Sequence, residues 1–69
     1  MVEVFKTNVK CPVEAGVLVK KLVQHFPAYK INFDLNDCDN ILRVEGDNVK
    51  PFTVIKVLVE DDYVCEVLE

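Results

Sequence analysis

The spacing of hydrophobic positions alternates between a period of two and a helical period along the chain. Residues 2–9 alternate loosely and are rich in Val, Phe and Thr, which predicts a first strand. Apolar residues stand on both of its faces, with Val2 and Val4 on one and Phe5 and Val9 on the other. This pattern is typical of a central strand rather than an edge strand.

A first helix is predicted over residues 13–26. Pro12 suits its first turn, where the missing N–H costs nothing, and Pro27 ends it. Apolar residues recur at i, i+3, i+4, i+7 and i+11, which defines one buried face. That face holds Ala15, Leu18, Val19, Leu22 and Phe26.

A β-hairpin is predicted next. Residues 29–35 alternate cleanly between apolar and polar side chains, and residues 41–45 form the following strand. The polar segment 36–40 between them contains residue types that tolerate turn dihedrals. The inward positions of the two strands are Ile31, Phe33, Leu35, Leu42 and Val44.

Residues 49–60 are predicted as a second helix, with Pro51 in the first turn and Asp47 or Asn48 as the N-cap. The high content of β-branched residues makes a strand a real rival interpretation of this segment. The predicted buried stripe comprises Phe52, Ile55, Leu58 and Val59. Residues 63–68 then form a last strand. One face of that strand holds Tyr63, Cys65 and Val67.

The order β-α-β-β-α-β predicts an α+β fold, the ferredoxin-like two-layer sandwich. Its antiparallel sheet has strand order 4-1-3-2, with two helices on one face. Residues 1–69 are interpreted as one domain. One sheet face stays open, and Phe5 points there if Val2 and Val4 face the helices. An exposed aromatic on an open sheet predicts an interaction surface for a protein partner or a homodimer.

Composition narrows the class of partners. The net charge is −4 with scattered basic residues, which argues against nucleic acid and anionic membranes. No apolar run approaches the roughly 20 residues of a membrane helix, and no secretory signal is visible. Three cysteines, an odd number, favour reduced thiols in a cytoplasmic protein. A single His and the absence of a Gly-rich phosphate loop give no support for an enzyme.

Several short motifs together resemble the heavy-metal-associated domain of copper chaperones and metal-pumping ATPases, and the resemblance spans nearly the whole chain. Phe-Asp-Leu at 33–35 is similar to the second strand of that family, and Leu-Arg-Val-Glu-Gly at 42–46 to the third. Asp62-Tyr63 stands where the family has Gly-Tyr. The resemblance implies the same fold and a metal site at the start of the first helix.

The family's metal motif is Met-x-Cys-x-x-Cys. Aligned on Cys11, Val9 takes the Met position and Glu14 the position of the second Cys. The family binds Cu(I) between two thiolates, because a soft d¹⁰ ion prefers sulfur, whereas a carboxylate is a hard ligand. The resemblance therefore implies a metal domain, and Glu14 predicts weak Cu(I) binding with a preference for Zn(II) or another borderline ion.

The topology predicts where such an ion would bind. Strands one and two run parallel, so Cys11 and Cys38 come at the same pole, and the acidic run at residues 60–62 ends the second helix there. A helix start also favours negative charge such as a thiolate. The candidate metal ligands are Cys11, Glu14 and Cys38, with Asp61 as a helper.

Two further expectations remain open at the level of sequence. Cys65 is predicted to be a core thiol away from the metal pole, behaving as a small hydrophobe. A protein-interaction module that kept the fold and lost the metal is the alternative to metal binding, followed by a small-molecule-binding regulatory domain of the same topology.

Overall fold

Two β-α-β units build the structure, a computed structural model that describes residues 1–36 and 38–68. The sheet is antiparallel with strand order β2-β3-β1-β4, which is the predicted order read from the other edge. Both helices cover one of its faces, so the predicted fold class is confirmed. The elements are β1 Val2–Thr7, α1 Pro12–His25, β2 Lys30–Asp34, β3 Ile41–Glu45, α2 Pro51–Glu60 and β4 Cys65–Val67.

Three connections meet at one end of the domain, which we call the cysteine pole. They are the β1–α1 link around Cys11, the β2–β3 turn and the α2–β4 turn. The Thr7 hydroxyl donates to the carbonyl oxygen of Asn40 at 2.6 Å, which ties the β2–β3 turn to β1. The Val64 N–H donates to Asn8 Oδ1 at 2.8 Å and ties in the α2–β4 turn. The three loops thus meet as the topology predicts.

The two ends of the described chain lie away from this pole. The Gly46 N–H donates to the Met1 carbonyl at 3.0 Å, at the far end of β1 and β3. The Leu68 N–H donates to the Val4 carbonyl at 2.8 Å, and β4 runs antiparallel to β1. Both ends of the chain are therefore directed towards the opposite pole.

The hydrophobic core lies between the helices and the sheet, and Phe5 is part of it. Phe5 is fully buried and pairs with Leu42, so the prediction that Phe5 lies on the open face is wrong. Val2 faces outward with 42% of its surface exposed. Alternation alone could not choose the inner face because both faces of β1 carry apolar residues. The inward Thr7 is satisfied by its hydrogen bond to Asn40.

The open face of the sheet is instead a surface of mixed charge. The strand register places Val4 beside Arg43, Lys6 beside Glu66 and Lys30 beside Glu45. Opposite charges across neighbouring strands are typical of a solvated sheet face. The interaction surface predicted from Phe5 therefore has no basis in the structure.

The buried face of α1 agrees with the prediction, whereas that of α2 agrees only at Leu58 and at the partly buried Ile55. Ala15, Leu18 and Leu22 are buried on α1. On α2 the buried residues are Val54, Val57 and Leu58, while Phe52 is 85% exposed and Val59 54% exposed. Only Thr53, Lys56 and Glu60 are polar in α2, so the apolar surface of the helix is wider than the face that the core buries.

The start of α2 also differs from the prediction. The helix begins at Pro51 with Lys50 at the N-cap position, so neither Asp47 nor Asn48 caps it. The Thr53 hydroxyl donates to the Lys50 carbonyl at 2.7 Å within the first turn. Pro51 occupies the first helical position, where its fixed φ is already helical.

Cys65 is buried in the core, as the sequence predicts. It lies at the cysteine pole, however, and the prediction that it lies away from that pole is wrong. β4 is shorter than predicted and begins at Cys65, which pairs with Thr7 at the end of β1. The side chain is 8% exposed, and burial together with the nearby Glu66 raises the pKa of the Cys65 thiol to about 12. Because α2 ends at the pole, β4 starts there.

Candidate metal centre

Cys11 occupies the N-cap position of α1. Its backbone is extended, with φ −98° and ψ 126°, and its carbonyl accepts the Ala15 N–H at 2.9 Å. The side chain is exposed. The first turn of a helix presents backbone N–H groups without helical partners, and negative charge is favoured beside them. The fold thus holds an accessible sulfur at the start of α1.

Glu14 lies in the first turn of α1 and contacts the α2–β4 turn through Tyr63. Partial burial raises the pKa of the Tyr63 hydroxyl, and the charge of Glu14, its hydrogen bonding with the phenol, and the charges of Asp61 and Cys11 raise it further. The direction follows because a phenolate would lie among anions. Glu14, Asp61 and Cys11 are thus all close enough to Tyr63 for their charges to act on its hydroxyl.

A shallow groove of about 460 Å³ runs beside this group, between the start of α1 and the end of α2. Its lining combines acidic and apolar side chains. The residues are Val13, Glu14, Val17, Leu18, Glu60, Asp61, Asp62 and Tyr63.

The Asp61 carboxylate is already engaged by a cation of the protein. Lys21 Nζ donates to Asp61 Oδ1 at 2.8 Å, and both side chains are about one-third exposed. This pair joins α1 to the end of α2 across the groove. A metal ion would compete with Lys21 for Asp61, which weakens Asp61 as a helper ligand.

Cys38 lies in the β2–β3 turn and is exposed. The contacts of that turn go to β1, where the Asp39 carbonyl accepts the Thr7 N–H and the Asp39 carboxylate lies 3.8 Å from Lys6. Asp37, the acid that precedes Cys38 in the sequence, lies outside the described residues. Cys38 is therefore at the predicted pole but is not among the residues that surround Tyr63.

The donor set can be compared with the needs of each ion. Across residues 1–36 and 38–68, no three His, Cys, Asp or Glu side chains come together as a group that could hold a metal. Around Tyr63 the structure offers one sulfur, from Cys11, and carboxylate oxygen, from Glu14. A mixed S and O set suits Zn(II) better than Cu(I), which prefers two thiolates.

Reasoning from the sequence did not identify Tyr63 and Lys21 as residues of this site. Tyr63 was assigned to a strand face, although Asp62-Tyr63 matches the Gly-Tyr position of the resembled family. Lys21 is a polar residue of α1 outside the predicted buried face. No sequence signal pairs Lys21 with a residue 40 positions away.

Comparison with known proteins supports the fold. No family model matches the chain, and no curated protein sequence matches it. Among solved structures, the chain is similar to the solution structure of the yeast copper transporter domain Ccc2A in the apo and Cu(I)-loaded states. The TM-score is 0.81 at 17% identity, covering 99% of this chain and 94% of that chain. At this identity the likeness shows a shared fold.

In the part of the chain that the structure describes, neither helix is long and apolar enough to cross a membrane.

Proposed function

We propose that this chain is a small metal-binding domain in which Cys11 is the principal ligand and binding is weak. The observation that carries the proposal is the exposed Cys11 thiol at the N-cap of α1. The chain shares its fold with a copper transporter domain whose solution structure is of the apo and Cu(I)-loaded states. The helix start contributes favourable electrostatics for a thiolate bound to a cation.

Glu14 determines which ion is favoured. Its carboxylate is one helical turn from Cys11 and replaces the second thiolate of the resembled motif. Oxygen is a good ligand for Zn(II) and a poor one for Cu(I). The domain therefore prefers Zn(II), with solvent completing the coordination, and holds Cu(I) more weakly than a two-thiolate site does.

The test is a titration of the reduced protein with Zn(II), and separately with Cu(I), followed by native mass spectrometry. Wild-type protein is expected to bind one Zn(II) per chain. Cys11→Ser should weaken Zn(II) binding by about tenfold or more, equivalent to about 1.4 kcal/mol. Cys38→Ser is the matched control, since it removes the other exposed thiol and should leave binding unchanged.

Cu(I) is examined by competition with a strong Cu(I) chelator. The chelator should remove copper from the monomer, because one thiolate replaces two. Retention of one copper per chain in that competition contradicts weak binding. Unchanged Zn(II) binding by Cys11→Ser removes Cys11 as the ligand.

A protein-interaction module without metal is the second candidate function. The observation that favours it is the exposure of Val13 and Val17, at 74% and 61%, on α1 beside the acidic groove. Exposed apolar residues bordered by charge are typical of interaction surfaces. This candidate takes precedence if neither Zn(II) nor Cu(I) binds to the reduced wild-type protein.

A further inference from the structure

The two edges of the sheet are unequal. β4 forms one edge with three residues, and β2 forms the other with five. All five residues of β2 keep a regular register with β3, and none is proline. A regular edge strand presents unpaired backbone N–H and C=O groups on its outer side. β2 is thus the edge able to accept another strand.

The side chains of β2 form a self-complementary pattern, in which one end of the strand matches the other in charge. On the open-face side, Lys30, Asn32 and Asp34 follow one another at a spacing of two. On the helix side are Ile31 and Phe33. If a second β2 pairs antiparallel and is centred on Asn32, each Lys30 faces an Asp34 and each Ile31 faces a Phe33.

We propose that β2 pairs antiparallel with β2 of a second copy of this chain, which extends the sheet across a twofold axis at Asn32. Cross-strand pairs of opposite charge and aromatic–aliphatic pairs are both stabilising when they stand directly opposite. About four to six backbone hydrogen bonds form along a pairing of this length. The contact is isologous, as closed dimers require.

Charge selects this arrangement over its alternatives. A parallel pairing in register would place Lys30 beside Lys30 and Asp34 beside Asp34, and like charges directly opposite are destabilising. Shifting the antiparallel register by two residues would separate Lys30 from Asp34. The pairing centred on Asn32 is the one in which both charges are matched.

The helix side of β2 has room for the second copy. A groove of about 570 Å³ lies between α1 and β2, with Ala15, Gly16 and Val19 on the helix wall. A side chain added at Gly16 would meet no atom within 4 Å, so this wall is open. Phe33 is only partly buried in the single chain. In the pair, Phe33 of each copy packs against Ile31 of the other beside this groove.

This dimer is independent of the metal proposal. The two copies are antiparallel about the axis at Asn32, so their cysteine poles are directed to opposite ends. A metal ion held by Cys11 of one copy is not shared with Cys11 of the other. Failure of the dimer therefore leaves metal binding by the single chain unaffected, and the reverse also holds.

The test is a charge swap measured by sedimentation equilibrium. Wild-type protein should show a reversible monomer–dimer equilibrium. Lys30→Asp alone and Asp34→Lys alone should each weaken self-association by about tenfold or more, because the matched pairs become like-charged. An equimolar mixture of the two variants should form a heterodimer, and the double variant in one chain should recover the homodimer.

Two controls separate pairing from damage to the fold. Lys56→Asp changes an exposed charge on α2, away from β2, and should dimerise as wild type does. Asp34 Oδ1 accepts the Asn36 N–H at 3.2 Å, so Asp34→Asn keeps this turn contact while losing the charge, and should weaken the dimer less than Asp34→Lys. Circular dichroism verifies that each variant is folded. A wild-type protein that stays monomeric at millimolar concentration, or a mixture that does not associate, overturns the proposal.

Discussion

Asp62 adopts a backbone conformation that favours glycine. Its φ is 66°, in the turn between α2 and β4, and Asn40 has φ 48° at the end of the β2–β3 turn. Residues with a Cβ are disfavoured in this region, and Asn and Asp are among the least disfavoured. Position 62 is also where the resembled heavy-metal-associated family has Gly. A glycine at position 62 would adopt the observed φ without the penalty that a Cβ carries.

The first prediction compares two substitutions at this position. Asp62→Gly and Asp62→Ala both remove the carboxylate, so their difference isolates the backbone contribution. The Gly variant is expected to be more stable than the Ala variant by about 1 kcal/mol. Urea unfolding followed by circular dichroism measures it. Equal free energies of unfolding would show that the turn relaxes without a left-handed residue.

The second prediction concerns pH and the buried thiol. Burial raises the pKa of Cys65 from 9.0 to about 12, so the folded state keeps its proton where the unfolded state loses it. The contribution to stability is complete below about pH 9 and is lost as the pH rises towards about 12. Cys65→Val keeps an apolar side chain in the core without a titrating group.

The measurement is the free energy of unfolding at about pH 8 and about pH 11. Wild type should lose more stability between the two than Cys65→Val does. The raised pKa of Tyr63 acts in the same direction, so the comparison is repeated in a Tyr63→Phe background. Identical losses in both proteins would assign the alkaline decline to other groups.

At the scale of elements, the two helices show when a hydrophobic pattern is informative. α1 carries Lys20, Lys21 and Gln24 on one side, so the sequence defined both its existence and its inner face. In α2 the sequence predicted the helix correctly from Pro51 but only part of its inner face, because the apolar positions extend well beyond the face that the core buries. Packing against the sheet then selected Val54, Val57 and Leu58. In β1, too, apolar residues on both faces left the inner face undefined, and the prediction assigned the two faces the wrong way round.

The third prediction tests the observed rotation of α2. Leu58 is fully buried, so Leu58→Ala should destabilise the fold by about 2–5 kcal/mol through lost burial and a cavity. Phe52 is 85% exposed, and Phe52→Ala should change stability by no more than about 0.5 kcal/mol. The free energy of unfolding of both variants is measured by thermal or urea unfolding. A large loss for Phe52→Ala would contradict the orientation of the helix.

At the scale of the whole molecule, topology was predictable and side-chain partnerships were not. The parallel direction of strands one and two was enough to place Cys11 and Cys38 at one end, and the direction of the second helix placed Asp61 there. The ion pair between Lys21 and Asp61 depends on how α1 and α2 are placed on the sheet, which no local pattern records. For the same reason the sequence grouped Cys38 with Glu14, whereas the structure places Tyr63 beside Glu14.

The direction of the two chain ends has a practical consequence for tethering. Met1 and Leu68 are both held by bonds that lead away from the cysteine pole. A linker, an affinity tag or a solid support attached at either end therefore leaves Cys11 and the acidic groove facing free solution. Copies joined in tandem would each keep the exposed Cys11 thiol accessible, however many repeats are linked.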